Sequence, residues 1–269
     1  MMKKEQVHII TATNDKYAKP LGVMLNSLLK NATYKSMIRI YIIDGDLSSE
    51  KKKNLKRVVK KFNLDVKFLK VNSSLFDGFK ERHHISRQAY YRIVIPHLLD
   101  KDIKKVLYMD CDIIVKEDIR KLWNTNIDNH FLAAGEKAFA KNDETRKSIL
   151  QLPSEARFFN SGVLLINPEK WREHDISNKV LEFITTNSND LITMDQEALN
   201  VVLHDKWLKL DTKWNYSTSH IKTHPGVKPA IIHYTRRRKP WNHGHPLQKE
   251  YFNYLKTTGW SINRTKKKE

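Results

Sequence analysis

One cysteine, Cys111, is present among 269 residues, so an internal disulfide framework is excluded. Glycine is scarce, with eight in all, and neither G-x-G-x-x-G nor G-x-x-x-x-G-K-[ST] occurs. That removes the dinucleotide fingerprint and the Walker loop. A phosphate group would have to be held by a metal and basic side chains, not by a glycine cradle. No apolar run approaches the ~20 residues that cross a bilayer. The opening Met1-Met2-Lys3-Lys4-Glu5-Gln6-Val7-His8 lacks the uninterrupted apolar core of a signal peptide. A lone thiol and no leader together lead us to expect a cytoplasmic protein.

Negative charge is also short. Lys and Arg number 49 against 30 Asp and Glu, a formal net charge of +19, so anionic partners of several kinds are admissible. Much of the excess lies in 51–61, where Leu55, Val58, Val59 and Phe62 fall at helical spacing and the basic residues take the solvated face. A second cluster, Arg236-Arg237-Arg238-Lys239, adjoins Pro240-Trp241. A third, Lys266-Lys267-Lys268, reads as a disordered tail.

The first half alternates strand and helix. Strands are expected at 7–11, 38–43 and 65–69, and helices at 20–29 and, capped by Ser48, over the basic stretch. Ser86 precedes a helix carrying Tyr90, Tyr91 and Arg92. The run 106–115 reads as a buried strand. This β-α-β order argues for an α/β fold with a mostly parallel sheet flanked by helices, whose ligands gather at the carboxyl ends of the strands. Further on, strands are expected at 131–135, 162–166 and 229–234. Asn167-Pro168 opens a helix, Asp195 starts another, and Leu247, Tyr251, Tyr254 and Leu255 mark a last one.

Asp110 and Asp112 lie inside the run 106–115. In extended geometry, i and i+2 share a face, so both carboxylates can converge. Two acids in an apolar setting are costly unless something positive joins them. A carboxylate pair suits Mg²⁺, Mn²⁺ or Ca²⁺ better than Zn²⁺. Alone, D-x-D is a weak motif, and these acids could merely face solvent or pair with Lys104 and Lys105.

Other segments add to the pair: Ala12-Thr13-Asn14-Asp15-Lys16-Tyr17 after the first strand, Arg92, Asn160 in Arg157-Phe158-Phe159-Asn160-Ser161-Gly162, Asp195-Gln196, and His233 at a strand end before Lys239-Pro240-Trp241. The series, in order from about residue 7 to about residue 241, resembles glycosyltransferase family 8. The likeness is to its bacterial general-stress-protein and lipopolysaccharide galactosyltransferase members, which are related to glycogenin. The resemblance implies a GT-A fold over residues 1–240, with 241–269 forming a C-terminal helix and basic tail. It implies a UDP-sugar donor (UDP-glucose or UDP-galactose), retention of anomeric configuration and Mn²⁺, with Mg²⁺ as a substitute. By the same resemblance, Asp110, Asp112 and His233 ligate the metal, and Asn14 faces the uracil edge beside Ala12 and Tyr17. Arg92 and Asn160 contact sugar and diphosphate, Asp195 holds sugar hydroxyls, and Gln196 lies beneath the anomeric carbon. Lys239 pairs with a phosphate oxygen. The catalytic set is thus Gln196, Asp195 and Arg92.

The chain departs from the family pattern in three places. Thr235-Arg236-Arg237-Arg238 stands where relatives carry glycines, losing close backbone approach to diphosphate while offering guanidinium charge to phosphate or to a membrane. Lys137 replaces an acid common in the family, which leaves the hexose open. The segment between Asn215 and Pro229 is shorter than in close relatives, which implies a more open site. Two other readings compete. A haloacid-dehalogenase-like phosphohydrolase also has D-x-D at a strand end, but normally after its first strand. A basic nucleic-acid-binding domain fits the charge, yet no helix-turn-helix, RRM or zinc pattern accompanies it. The expected partners are therefore a UDP-sugar, a carbohydrate-containing acceptor and, peripherally, an anionic membrane at its cytoplasmic face. No nucleic acid is expected.

Overall fold

The computed structural model describes residues 6–81, 86–138, 143–242 and 244–261; the Lys266–Lys268 run lies outside them. The strands are β1 (Val7–Thr13), β2 (Ile38–Asp44), β3 (Val66–Leu69), β4 (Val106–Met109), β5 (Ile113–Val115), β6 (Leu132–Glu136), β7 (Phe159–Ile166), β8 (Trp207–Leu210), β9 (Tyr216–Ser217) and β10 (Ile231–His233). Seven of them form one sheet in the order β3-β2-β1-β4-β7-β6-β8, and β5-β10-β9 form a small second sheet. In the large sheet β7 alone runs against its neighbours; the other pairs are parallel.

Side-chain alternation sorts the strand residues into two cores, one on each face of the large sheet. Ile9, Leu107, Val163 and Leu165 join Leu21, Met24, Leu25 and Leu28 of the helix Ala18–Asn31, with Leu55, Val58 and Val59 of the helix Ser49–Lys60. On the other face Ile10, Tyr108, Leu164 and Ile166 pack with Trp171, Val180 and Leu199. Ser48 caps the basic helix by accepting from the Lys51 N–H. Pro20 is third in its helix, where an N–H has no intrahelical partner. Gly22 costs that helix about 1 kcal/mol. A Cβ there would lie 2.2 Å from the Trp260 ring, so the glycine makes room for the C-terminal segment. The helix Gln248–Leu255 rests on the same place, where Asn26 Nδ2 donates to the Tyr254 carbonyl and the Thr257 hydroxyl.

Two expectations need correction. The run 106–115 is not one strand. Asp110 N–H keeps a last bond to the Gly162 carbonyl (2.9 Å), while the Asp112 carbonyl accepts from Tyr234 N–H (3.0 Å), next to β10. The chain therefore leaves the large sheet and enters the small one between the two acids. The segment after Ser86 is a 3₁₀ helix (Arg87–Val94) followed by one α turn, Ile95–Leu98; Pro96 supplies no N–H to extend it. Asp195 is the first residue of its helix, and Met194 occupies the cap position.

Candidate active site

A cavity of about 400 Å³ opens where β1 and β4 end and β7 begins, and Ala12, Asn14, Tyr17, Arg92, Asp110, Asp112, Asn160, Asp195, Gln196, His233 and Lys239 all line it. Every site residue expected from the sequence is thus brought to one place.

Each acid of the pair has one oxygen occupied and one free. Asp110 Oδ1 accepts from the Tyr108 hydroxyl (2.6 Å) and pairs with Arg92 Nη2 (3.1 Å). Asp112 Oδ2 takes the Lys239 ammonium, which also donates to the Tyr234 carbonyl. The other two oxygens, Asp110 Oδ2 and Asp112 Oδ1, each lie 3.5 Å from His233 Nε2. One atom from each of these three residues falls within a 4.8 Å cluster. Burial disfavours the Asp112 anion, but Lys239 and then His233 overcome it and hold the carboxyl well below the usual range. Gly162 makes this approach possible, since a Cβ there would sit 2.1 Å from His233 Cε1 and 2.7 Å from Asp110 Oδ2.

The imidazole tautomer follows from a chain of amides. Backbone N–H groups can only donate, so Gly162 N–H fixes Asn160 Oδ1 (3.1 Å) and Ser161 N–H fixes Gln196 Oε1 (3.1 Å) as acceptors. Asn160 Nδ2 then donates to Gln196 Oε1 (3.0 Å), and Asn215 Nδ2 donates to Asn160 Oδ1 (2.9 Å). Asn215 must therefore present its oxygen to His233 Nδ1, 2.9 Å away. Nδ1 donates to Asn215, and Nε2 is the nitrogen turned to the acids. Gly135 admits Asn215, whose Cβ is 2.7 Å from where a glycine Cβ would be.

Arg92 is buried and serves several partners. Its Nε donates to the Ala89 carbonyl, its Nη1 to Ser161, and the guanidinium stands 3.1 Å from both Asp110 and Asp195. Burial opposes its charge, but Asp110, Tyr108 and Asp195 more than compensate. One guanidinium shared by two carboxylates leaves Asp195 under-compensated. Burial pushes its carboxyl up to about 6, against the pull of Arg92. Asp195 Oδ2 is buried against Arg92 Nε (3.1 Å), an ion pair that lacks hydrogen-bond geometry, so the oxygen can still accept at the cavity wall. The preceding Met194 is held at φ 40°, a strained conformation for a side chain. The Glu197 carboxylate secures that turn by accepting from Ile192 and Thr193 N–H and from Arg146.

The far wall is built differently. Asn14 Oδ1 accepts from Tyr17 N–H, and its Nδ2 donates to Gln88 (2.8 Å). Burial first, and Asp112 next, raise the Tyr17 phenol to about 12, so it stays neutral. Its ring meets Trp241 edge-on, and Trp241 in turn packs on Tyr251.

Comparison with known proteins settles the family. The model of glycosyl transferase family 8 matches residues 8–244. The chain belongs to glycosyltransferase family 8. General stress protein A of Bacillus subtilis is 36% identical, covering 97% of both proteins. Glycosyltransferase GlyF of Streptococcus pneumoniae is 29% identical over 87% of this chain, which spans 57% of GlyF's length. Among solved structures, galactosyltransferase LgtC with donor and acceptor sugar analogs superposes with a TM-score of 0.86 at 25% identity, covering 96% of this chain and 98% of LgtC. The fold is GT-A, as the family resemblance implied.

Several residues of this family 8 site escaped sequence reasoning. Tyr108 is findable, because strand alternation puts it on the face of Asp110 two residues on. Asn215, Gln88 and Ser161 have no local signature. They reach the site through the 3₁₀ turns Thr212–Asn215 and Arg87–Val94 and the start of β7.

Proposed function

We propose that the protein is a retaining hexosyltransferase. It moves a hexose from a UDP-sugar, UDP-glucose or UDP-galactose, to a hydroxyl of a glycan, glycolipid or glycoprotein. The observation that carries this reading is the convergence of Asp110 Oδ2, Asp112 Oδ1 and His233 Nε2, the three atoms their own neighbours leave free. Two carboxylates and a neutral imidazole suit Mn²⁺, with Mg²⁺ as a substitute. A cation bound there supplies Lewis acidity toward a departing diphosphate.

The chain's own groups complete the roles. Lys239 has one N–H direction beyond Asp112 and Tyr234 to offer a phosphate oxygen. Arg92 is a fixed positive charge where negative charge develops. Asp195 Oδ2, paired with Arg92 but accepting no hydrogen bond, takes one from a sugar hydroxyl. Asn160 contacts the donor beside it, and Ala12, Asn14 and Tyr17 receive the uracil. Gln196 lies beneath the anomeric carbon with its oxygen anchored by Ser161 and Asn160. An anchored amide is a poor covalent nucleophile, so transfer occurs on one face. The bond from the anomeric carbon to phosphate breaks as the bond to the acceptor oxygen forms, and the acceptor proton passes to the departing phosphate. Residues 1–240 form the transferase domain, with 241–269 as an appended helix and tail.

UDP titration with and without Mn²⁺ tests the reading, followed by a hydrolysis screen across UDP-glucose, UDP-galactose and their N-acetylated analogues. Metal-dependent UDP binding is expected. Phosphate release from simple esters, or tight salt-sensitive binding of DNA with no response to UDP, would count against it. A sugar adduct trapped on Gln196 would overturn the single-face mechanism. No helix among the described residues is long and apolar enough to cross a membrane. The +19 charge supports a cytoplasmic protein held reversibly on anionic lipid, and vesicle binding that ignored ionic strength would refute this.

A further inference from the structure

One side of the cavity mouth comes from a stretch without a single carboxylate. Between Asp211 and Glu250 the sequence has no Asp or Glu, but five lysines and three arginines. Ser217, Ser219, Thr235, Arg236 and Arg237 of this stretch line the cavity. The basic run splits by depth. Lys239 is buried and neutralised by Asp112, whereas Arg236 and Arg237 are exposed at the mouth. Arg236 holds φ 71°, a conformation costly for any residue with a side chain. Its Nη2 donates to Ser219 Oγ (3.0 Å), a hydroxyl that orients the guanidinium without cancelling its charge. Beside it Thr235 Oγ1 is a buried hydroxyl with no hydrogen-bond partner.

Charge balance separates these arginines from the donor end. Inside the cavity, Asp110, Asp112 and Asp195 face Arg92, Lys137 and Lys239, three carboxylates against three cations. A divalent cation and the roughly two negative charges of a sugar diphosphate cancel each other. The donor end is therefore within about one charge of neutrality without Arg236 or Arg237, and two guanidiniums are surplus at the cavity mouth.

Resting on the donor site proposed above, we propose that Arg236 and Arg237 form an acceptor subsite for a phosphate group. The acceptor carries a phosphate monoester or diester near the hydroxyl that is glycosylated. Guanidinium forks match phosphate oxygens in pairs, and the Ser219 hydroxyl, which accepts from Arg236, keeps its own proton to donate to a remaining oxygen.

The test is calorimetric titration of inorganic phosphate and methyl phosphate into protein saturated with UDP and Mn²⁺, with chloride matching the ionic strength. Saturable binding is expected. The double variant Arg236→Ala/Arg237→Ala should weaken it by at least about tenfold while UDP affinity changes less than about twofold. Absence of phosphate binding to the UDP-loaded protein overturns the subsite, as does equal binding by the double variant. A tenfold loss of UDP affinity in that variant would assign both arginines to the donor diphosphate instead. If UDP itself shows no metal-dependent binding, it is the transferase reading that fails, a result distinct from all of these.

Discussion

Asn215 Oδ1 lies 2.9 Å from His233 Nδ1, and this contact determines which nitrogen the imidazole turns to the two aspartates. Backbone N–H groups at Ser161 and Gly162 set the polarity of the amide chain that ends in that oxygen. A histidine tautomer is thus specified from the edge of β7, two side chains away.

Replacing Asn215 should therefore act on the metal site without touching it. Asn215→Leu removes the acceptor and should lower Mn²⁺ affinity about 10- to 100-fold. Asn215→Asp keeps an acceptor for His233 and should retain most of that affinity. Mn²⁺ titration of both variants is the check, and wild-type affinity in the leucine variant would show that the contact does not orient the ring.

Gly162→Ala places a methyl where His233 Cε1 and Asp110 Oδ2 now lie. The two ligands must separate, so metal affinity should fall at least about tenfold. Circular dichroism should stay near wild type, because the clash is with side-chain ends. A variant with unchanged metal binding would mean that the two ligands accommodate the methyl.

Asp195 gives a pH signature in the metal-free protein. Its folded pKa of about 6 lies above the unfolded value of about 3.9. A raised carboxyl lends stability that is complete below the unfolded value and lost as pH rises through the folded one. Asp195→Asn does not titrate, so its advantage over wild type should grow between pH ~4 and ~6 and level off at roughly 1–3 kcal/mol. Urea unfolding across that range measures it, and a pH-independent difference would contradict the assignment. The same variant should lose activity, a trade of function for stability.

Glu197 should matter for both fold and activity. Its carboxylate is buried, pairs with Arg146 and holds two N–H groups of the turn before Met194. Glu197→Ala strands those partners and should cost ~3–5 kcal/mol. Activity should fall further than the folded fraction does, because Met194 loses what keeps it at φ 40°. Activity that merely tracked the folded fraction would remove Glu197 from any positioning role.

The β-α-β alternation to Met109 was legible because periodicity and caps are local: Leu55, Val58 and Val59 announce a stripe, and Ser48 announces the helix start. The site was legible as a family pattern, since Asp110, Asp112 and His233 mean little apart. What stayed hidden was set by long-range contact. β8 and β9 are short, with Trp207–Leu210 sheltered by pairing to β6 and Tyr216–Ser217 by pairing to β10. Asn215 resembles any turn residue until the fold brings it to His233. The break at Cys111 was read as continuous strand because its flanks are equally apolar, and only the partner strands show that the chain changes sheets there.

That change of sheets has a mechanical consequence. Asp110 ends the large sheet, whereas Asp112 leads into the small one and His233 belongs to it. A ligand that engages all three also rivets one sheet to the other. Amide protons of β5 and β10 should then exchange more slowly when the centre is loaded, while those deep in β1, already locked between β2 and β4, should be indifferent.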